Sequence, residues 1–308
     1  MSNTASTKPV KMRRRFGRKH AREYLTFVAF VLPNIALIAV FIYRPLISNI
    51  YYSMLDWRLG SATAKIVGLA NYVNWFTDPG SLEVIRITVI FTIATVGGSM
   101  VIGLALALAL NQRIPGTAFA RSAVFAPYVL SGVGVGMVWL FIFDPTYGAL
   151  SGILRLLGTS GPDWYLDRNW ALVMLIIVYV WKNLGYAAVI YLAGLQSVPN
   201  DLLEAAQIDG AGGSKRFFKI VLPLLSPTTF FLLVTIVLNS LQSFDLIRIM
   251  TKGGPLDGTK TLIYQVYEEA FVNGRAGYSS TVAIILFVVL LLLTVGQMRY
   301  LERRVHYS

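Results

Sequence analysis

Ile85-Arg-Ile-Thr-Val-Ile-Phe-Thr-Ile-Ala-Thr-Val-Gly-Gly-Ser-Met-Val-Ile-Gly-Leu-Ala-Leu-Ala-Leu-Ala-Leu110 is a run of 26 residues with one charge, Arg86, at its rim. As a helix it would reach about 39 Å, more than the ~30 Å of a bilayer's hydrocarbon core. No water is present there to bond peptide groups, so the run has to be helical, each N–H and C=O satisfied within its own ladder. Working outward, five more stretches pass the same test: Thr26 to Tyr43, Arg121 to Phe143, Trp170 to Leu192, Ile220 to Ser243 and Tyr278 to Met298. The six runs predict an all-α fold, a polytopic membrane protein with six transmembrane helices. Residues 26–298 form the membrane domain, between basic tails at 1–25 and 299–308.

Composition agrees. Apolar residues make up 56% of the 308 and charged residues 14%, against roughly a quarter charged in soluble domains. A net charge of +12 would suit nucleic acid, but eight of the basic residues lie between Lys8 and Arg22, directly before the first apolar run. That placement reads as a cytoplasmic anchor, and no nucleic-acid partner is expected. The first run is too long for a signal peptide and no A-x-A-like site follows it, so it reads as an uncleaved span. The chain has no cysteine, and its two histidines, His20 and His306, sit in the tails, which removes thiol chemistry and leaves no metal-ligand cluster.

An even number of spans puts both termini on one side. Arg113, Arg121, Lys215, Arg216, Lys219, Arg299, Arg303 and Arg304 fall on that side with the basic tail, which predicts that it is cytoplasmic. Pro33, Pro127, Gly132, Gly134, Gly136 and Gly185 punctuate the spans. Ser99, Gly103 and Ala107, like Gly132 and Gly136, form small-xxx-small ridges, which predicts close helix packing.

The loop between the fourth and fifth runs is unlike a simple connector. Asp201 can cap a short helix with Glu204 as its capping-box partner, and Gly210 can end it. A basic, aromatic stretch then re-enters the membrane at Ile220. Gly210 to Lys215 lacks the spacing of a phosphate-binding loop, and Arg216 stands where Ser or Thr is needed, so the chain should have no ATPase site.

Glu204-Ala205-Ala206, Asp209-Gly210-Ala211, Phe217, Ile220 and Leu222-Pro223 resemble the EAA loop of ABC-importer permeases, here within 195–223. Gly68 to Phe76, Phe125 to Tyr128, Phe143 to Gly148 and Phe244 to Pro255 are similar to carbohydrate-type members of the maltose and glycerol-3-phosphate importer kind. The resemblance implies a cytoplasmic coupling helix at Glu204 to Ala211 that docks on an ATPase. It also implies a bacterial inner-membrane location, a second related permease (a heterodimer), two ABC ATPase subunits that bind ATP and Mg, an extracytoplasmic solute-binding protein and a sugar or polyol cargo. No cofactor is expected on this chain.

A polar solute needs polar groups facing the bundle interior. The third span offers Tyr128 and Ser131, the fourth Trp181, Lys182, Asn183 and Tyr186, and the fifth Asn239, Ser240, Gln242, Ser243 and Asp245. The resemblance implies that Tyr128, Ser131, Trp181, Asn183, Tyr186, Ser240, Gln242 and Ser243 line the sugar site; an interhelical hydrogen bond is the other role open to each. Lys182 and Asp245 read either as an ion relay or as a snorkelling lysine and an aspartate at its span's outer end. The alternative function is an ion-coupled secondary transporter, which would show paired intramembrane carboxylates or inverted halves, neither evident here.

Overall fold

The computed structural model describes residues 19–112 and 116–301. Arg113, Arg303, Arg304, His306 and most of the amino-terminal tail lie outside the described residues.

The chain divides into two units, at Tyr51 and Tyr52. In the first, α1 (Lys19–Ile38) passes through a π-helical turn at Ala39–Tyr43 into α2 (Arg44–Ser53). The helix runs over Glu23–Ser53, ten residues past the expected end at Tyr43, and its most apolar 18-residue stretch has a mean hydropathy of 2.5. Pro45 does not stop it, because the wider turn just before relieves the clash and missing donor that proline brings to an α ladder. The same device recurs at Phe217–Val221, just ahead of Pro223.

The second unit opens with a two-stranded antiparallel ribbon, β1 (Leu55–Asp56) and β2 (Lys65–Ile66), with Leu55 opposite Ile66. The helices α3 (Ala70–Thr77), α4 (Pro79–Leu110), α5 (Thr117–Val129), α6 (Gly132–Ile142), α7 (Ala149–Leu156) and α8 (Arg168–Gln196) follow. The connecting loop holds α9 (Asn200–Ile208), α10 (Gly213–Arg216) and α11 (Leu222–Leu224). Last come α12 (Ser226–Leu241), α13 (Asp245–Met250), α14 (Leu262–Tyr267) and α15 (Ala276–Leu301). Among the described residues five helical segments are long and apolar enough to cross a bilayer, and α5 with α6 makes a sixth if taken as one span.

That sixth span departs from expectation. Arg121 to Phe143 is not one rod: α5 and α6 meet at an angle of 99°. Leu130 (φ −68, ψ 146) and Ser131 (φ −57, ψ 133) are extended between them. Pro127 withholds one donor from the last turn of α5, and Gly132 opens α6. The fifth span is also shifted, running over Ser226–Met250 rather than from Ile220.

Capping starts the long helices. The Asp78 side chain accepts from Ser81 N at the head of α4, and Asp167 accepts from Asn169 N and Trp170 N at the head of α8. Lipid is as apolar as leucine, so helix association rests on close fit rather than on the hydrophobic effect. The most extensive fit is α4 against α8. Ser99, Gly103 and Ala107 are all buried, and a β-carbon on Gly103 would stand 2.5 Å from that of Ala187. Thr95 and Ser240 hydroxyls, 2.7 Å apart, join α4 to α12, a bond worth about 0.6 kcal/mol between membrane helices.

Candidate functional site: a polar cleft and a projecting loop helix

Near the midpoint of α8 a polar cleft of about 410 Å³ opens beside the bend between α5 and α6. Tyr179, Lys182 and Asn183 recur at helical spacing on α8 and share one face. Tyr128 of α5 and Gly132 of α6 flank the bend, and Asn239, Gln242, Ser243, Phe244, Asp245 and Leu246 close the far wall where α12 gives way to α13. The buried Asn183 donates Nδ2 to Tyr179 O at 2.8 Å, which fixes its amide on the wall. Lys182 Nζ donates to Tyr128 O at 3.0 Å and lies 5.5 Å from the centre of the Tyr128 ring. That ring stacks on Tyr186 at 4.8 Å, with 17° between planes.

Four of the expected solute residues, Tyr128, Asn183, Gln242 and Ser243, line this cleft. The other four lie elsewhere. Tyr186 stands against Tyr128, and Ser131 sits exposed in the bend, outside the lining set. Trp181 is turned to Trp139, ring centres 5.3 Å apart, because one residue along a helix rotates a side chain by about 100°. Ser240 is buried on Thr95. Tyr179 was missed, although its place one turn before Lys182 and Asn183 is a readable signal.

At the end of the bundle where α8 finishes, α9 projects with none of its residues buried. Its amino-terminal cap is Pro199 (φ −62, ψ 128), not Asp201. Proline already holds the extended backbone a cap needs, so Asp201 moves into the first turn, where its charge still complements the helix dipole. The carboxyl end closes as expected. Gly210 takes φ +76, Gly210 N bonds Gln207 O at 3.1 Å and Ala211 N bonds Ala206 O at 2.9 Å, the paired bonds of a glycine-terminated helix. Arg216 Nη1 reaches back to Gln207 Oε1 at 2.9 Å and ties the returning chain to α9. Glu204, Ala205 and Asp209 are exposed, Ala206 and Ala211 half-buried, and Leu222 and Pro223 follow in the re-entry segment.

The opposite end is ordered by charge. Asp144 Oδ1 accepts from Thr146 N and Tyr147 N, and those two amides hold its carboxyl below the usual range. Lys260 bridges Glu268 at 2.6 Å and Asp257 at 2.9 Å. Burial pulls its pKa down, but the two carboxylates outweigh it and hold the ammonium above its ordinary value. The buried Glu269 receives Nε and Nη2 of Arg275, each at 2.7 Å, so its charge is paired and hydrogen-bonded. Glu83 meets both Arg86 and Arg168, joining the amino-terminal ends of α4 and α8.

Long apolar helices around a polar cleft, with an exposed loop helix at one end, make the architecture of a multi-span membrane protein. Residues 99–307 match the family described as binding-protein-dependent transport system inner membrane component, and the chain belongs to that family. It is 41% identical over 279 residues to the sn-glycerol-3-phosphate transport system permease protein UgpA of Agrobacterium fabrum, covering 90% of this chain and 95% of that one. The corresponding protein of Brucella abortus is 40% identical over 277 residues, covering 90% and 94%. The fold is shared with a bacterial ABC transporter involved in import of the acidic polysaccharide alginate, at a TM-score of 0.79 and 22% identity, covering 92% of this chain and 96% of that one. The expectation of a carbohydrate-type ABC-importer permease holds.

Proposed function

We propose that this chain passes a sugar, polyol or polyol phosphate inward through the polar cleft, driven by ATP that other subunits hydrolyse. The observation that carries this reading is the pairing of a cleft midway through the bundle with an exposed, glycine-terminated helix at the end of the same span, α8. The relatives named for sn-glycerol 3-phosphate support a small polyhydroxylated cargo. The cleft wall suits it: Asn183, Asn239, Gln242 and Ser243 offer amides and a hydroxyl, and the Tyr128 face can stack on apolar ring or chain carbons.

In this reading α9, through Glu204, Ala205, Ala206, Asp209, Gly210 and Ala211, docks on one of two ATPase subunits, which carry ATP and Mg. Leu222 and Pro223 transmit its movement into the fifth span. A second, related permease completes the pathway, and a binding protein delivers solute to the loop end ordered by Asp144, Lys260 and Glu269. Both termini then face the cytoplasm, where basic loop residues gather. Solute crosses as the bundle alternates between two states whose populations ATP shifts. Ion-coupled transport is the weaker alternative, because Asp245 is the sole carboxylate among the residues that line the cleft.

The test is uptake of labelled sn-glycerol 3-phosphate and of a neutral disaccharide panel by vesicles carrying the assembled transporter. Uptake of one cargo should require ATP and fall to background in Glu204→Lys. Uptake that persists without ATP, or survives that substitution unchanged, would refute the proposal.

A further inference from the structure

The bend in the third span leaves two raw helix ends inside the membrane, and each meets an opposite charge. At the end of α5 the carbonyls lack the next turn, and Leu130 makes no capping bond; Lys182 Nζ donates to one of them, Tyr128 O, at 3.0 Å. At the start of α6, Ser131 makes no side-chain cap bond. The Asp245 carboxylate lies there instead, close enough that a β-carbon on Gly132 would stand 3.1 Å from its Oδ2. A helix carries partial negative charge at its carboxyl end and positive charge at its amino end, so both placements are of the favourable sign.

The halves of this span also rest on different supports. At Gly185 the α8 backbone comes so close to Val124 and Phe125 of α5 that a β-carbon would overlap them. On the other side Gly136 packs α6 against Ile249 and Met250 of α13. Lys182 belongs to the first support and Asp245 to the second.

We propose that Lys182 and Asp245 are positioning residues that hold the bend: the ammonium caps the carbonyl end of α5, and the carboxylate complements the amide end of α6. They act as two separate caps facing one cleft, not as a proton relay and not chiefly as an ion pair with each other. The bend is therefore coupled to the distance between α8 and α13, whatever solute the cleft takes.

The test uses the full chain in the assembled transporter, in lipid nanodiscs, with spin labels on Phe119→Cys of α5 and Phe141→Cys of α6. Both positions are exposed, neither lines the cleft, and the chain has no native cysteine. Pulsed electron resonance then reads the distance across the bend without solute or ATP, so its outcome is separate from that of the uptake assay. The parent should give one narrow distribution. Lys182→Met and Asp245→Asn should each enlarge the straightened population by a factor of roughly three to ten. Lys182→Arg should keep the parent distribution. Gly132→Val, which displaces the carboxylate without removing its charge, should behave as Asp245→Asn does and keeps the test open if Lys182→Met fails to accumulate. The charge exchange Lys182→Asp with Asp245→Lys puts each charge at the wrong helix end and should be worse than either single change. Recovery of the parent distribution in that exchange would mean a simple ion pair, and an unchanged distribution in both neutral variants would mean no positioning role; either result overturns the proposal.

Discussion

α12 separates two hollows of opposite character. On one side Asn239, with Gln242 and Ser243 beyond its end, faces the polar cleft of about 410 Å³. On the other Val237 and Leu241 face a larger hollow of about 700 Å³, walled by Trp75, Ile85, Val89, Ile285 and Val288 and almost wholly apolar. Volume would favour the second as a binding site, but chemistry does not. A hydrated solute entering the apolar hollow would give up most of its hydrogen bonds, because only Tyr72, Trp75, Thr88, Thr92 and Gln297 among the lining residues carry polar side-chain groups, at a cost of several kcal/mol per unpaired polar group. The polar cleft is smaller, yet its amides, hydroxyl and charges can stand in for water. If the polar cleft is the solute path, as proposed, size alone would misidentify it in a protein whose outer surface must also be apolar.

The largest effect is expected beside the cleft. Gly185→Val drives a branched side chain into the α5 backbone and should cost upward of about 4 kcal/mol, read as loss of the folded chain in detergent-based thermal unfolding. Across α12, Trp75→Phe removes the 3.1 Å bond from Trp75 Nε1 to Gln265 Oε1 and leaves that buried amide oxygen without this donor. We expect a loss of about 1–3 kcal/mol in stability with ATP-driven uptake per folded molecule unchanged, since the apolar hollow carries no solute.

The smallest effect is expected at the loop end of the bundle, where Tyr165 Oη donates to Leu140 O of α6 at 2.6 Å. Burial first, and then the Asp144 carboxylate, push the phenol from 10.0 up to about 12. Because the folded-state value is the higher one, the bond contributes fully below pH 10.0 and is lost as pH rises towards about 12. Tyr165→Phe should cost about 1 kcal/mol at neutral pH and abolish the corresponding step in a tyrosinate absorbance titration.

The spans were legible because lipid imposes length and composition on every one of them, and α4 reads as membrane helix from its residues alone. The break between α5 and α6 was not. Gly132 and Gly136 read equally well as packing glycines, which Gly136 is against Ile249, and a proline within a membrane helix does not announce a bend of 99°. The loop helix was legible at its glycine end, where only one backbone conformation works, and misread at its start, where Pro199 displaced Asp201 from the cap. In the cleft, polar residue type pointed to the right helices but not to the right faces. Trp181 and Ser240 adjoin lining positions in sequence and turn away, to Trp139 and Thr95. A one-residue step decides that, and neighbouring helices, not composition, set the rotation.

Water and solute are expected to reach the polar cleft and not the apolar hollow. A chain without cysteine allows single thiols to be placed at Gln242, in the cleft, and at Val89, in the hollow. Maleimide reacts with the thiolate, which forms in water and is suppressed among apolar groups, so Gln242→Cys in the assembled transporter should label on the order of ten times faster than Val89→Cys with a membrane-impermeant reagent. Equal rates, or faster labelling of Val89→Cys, would contradict the account.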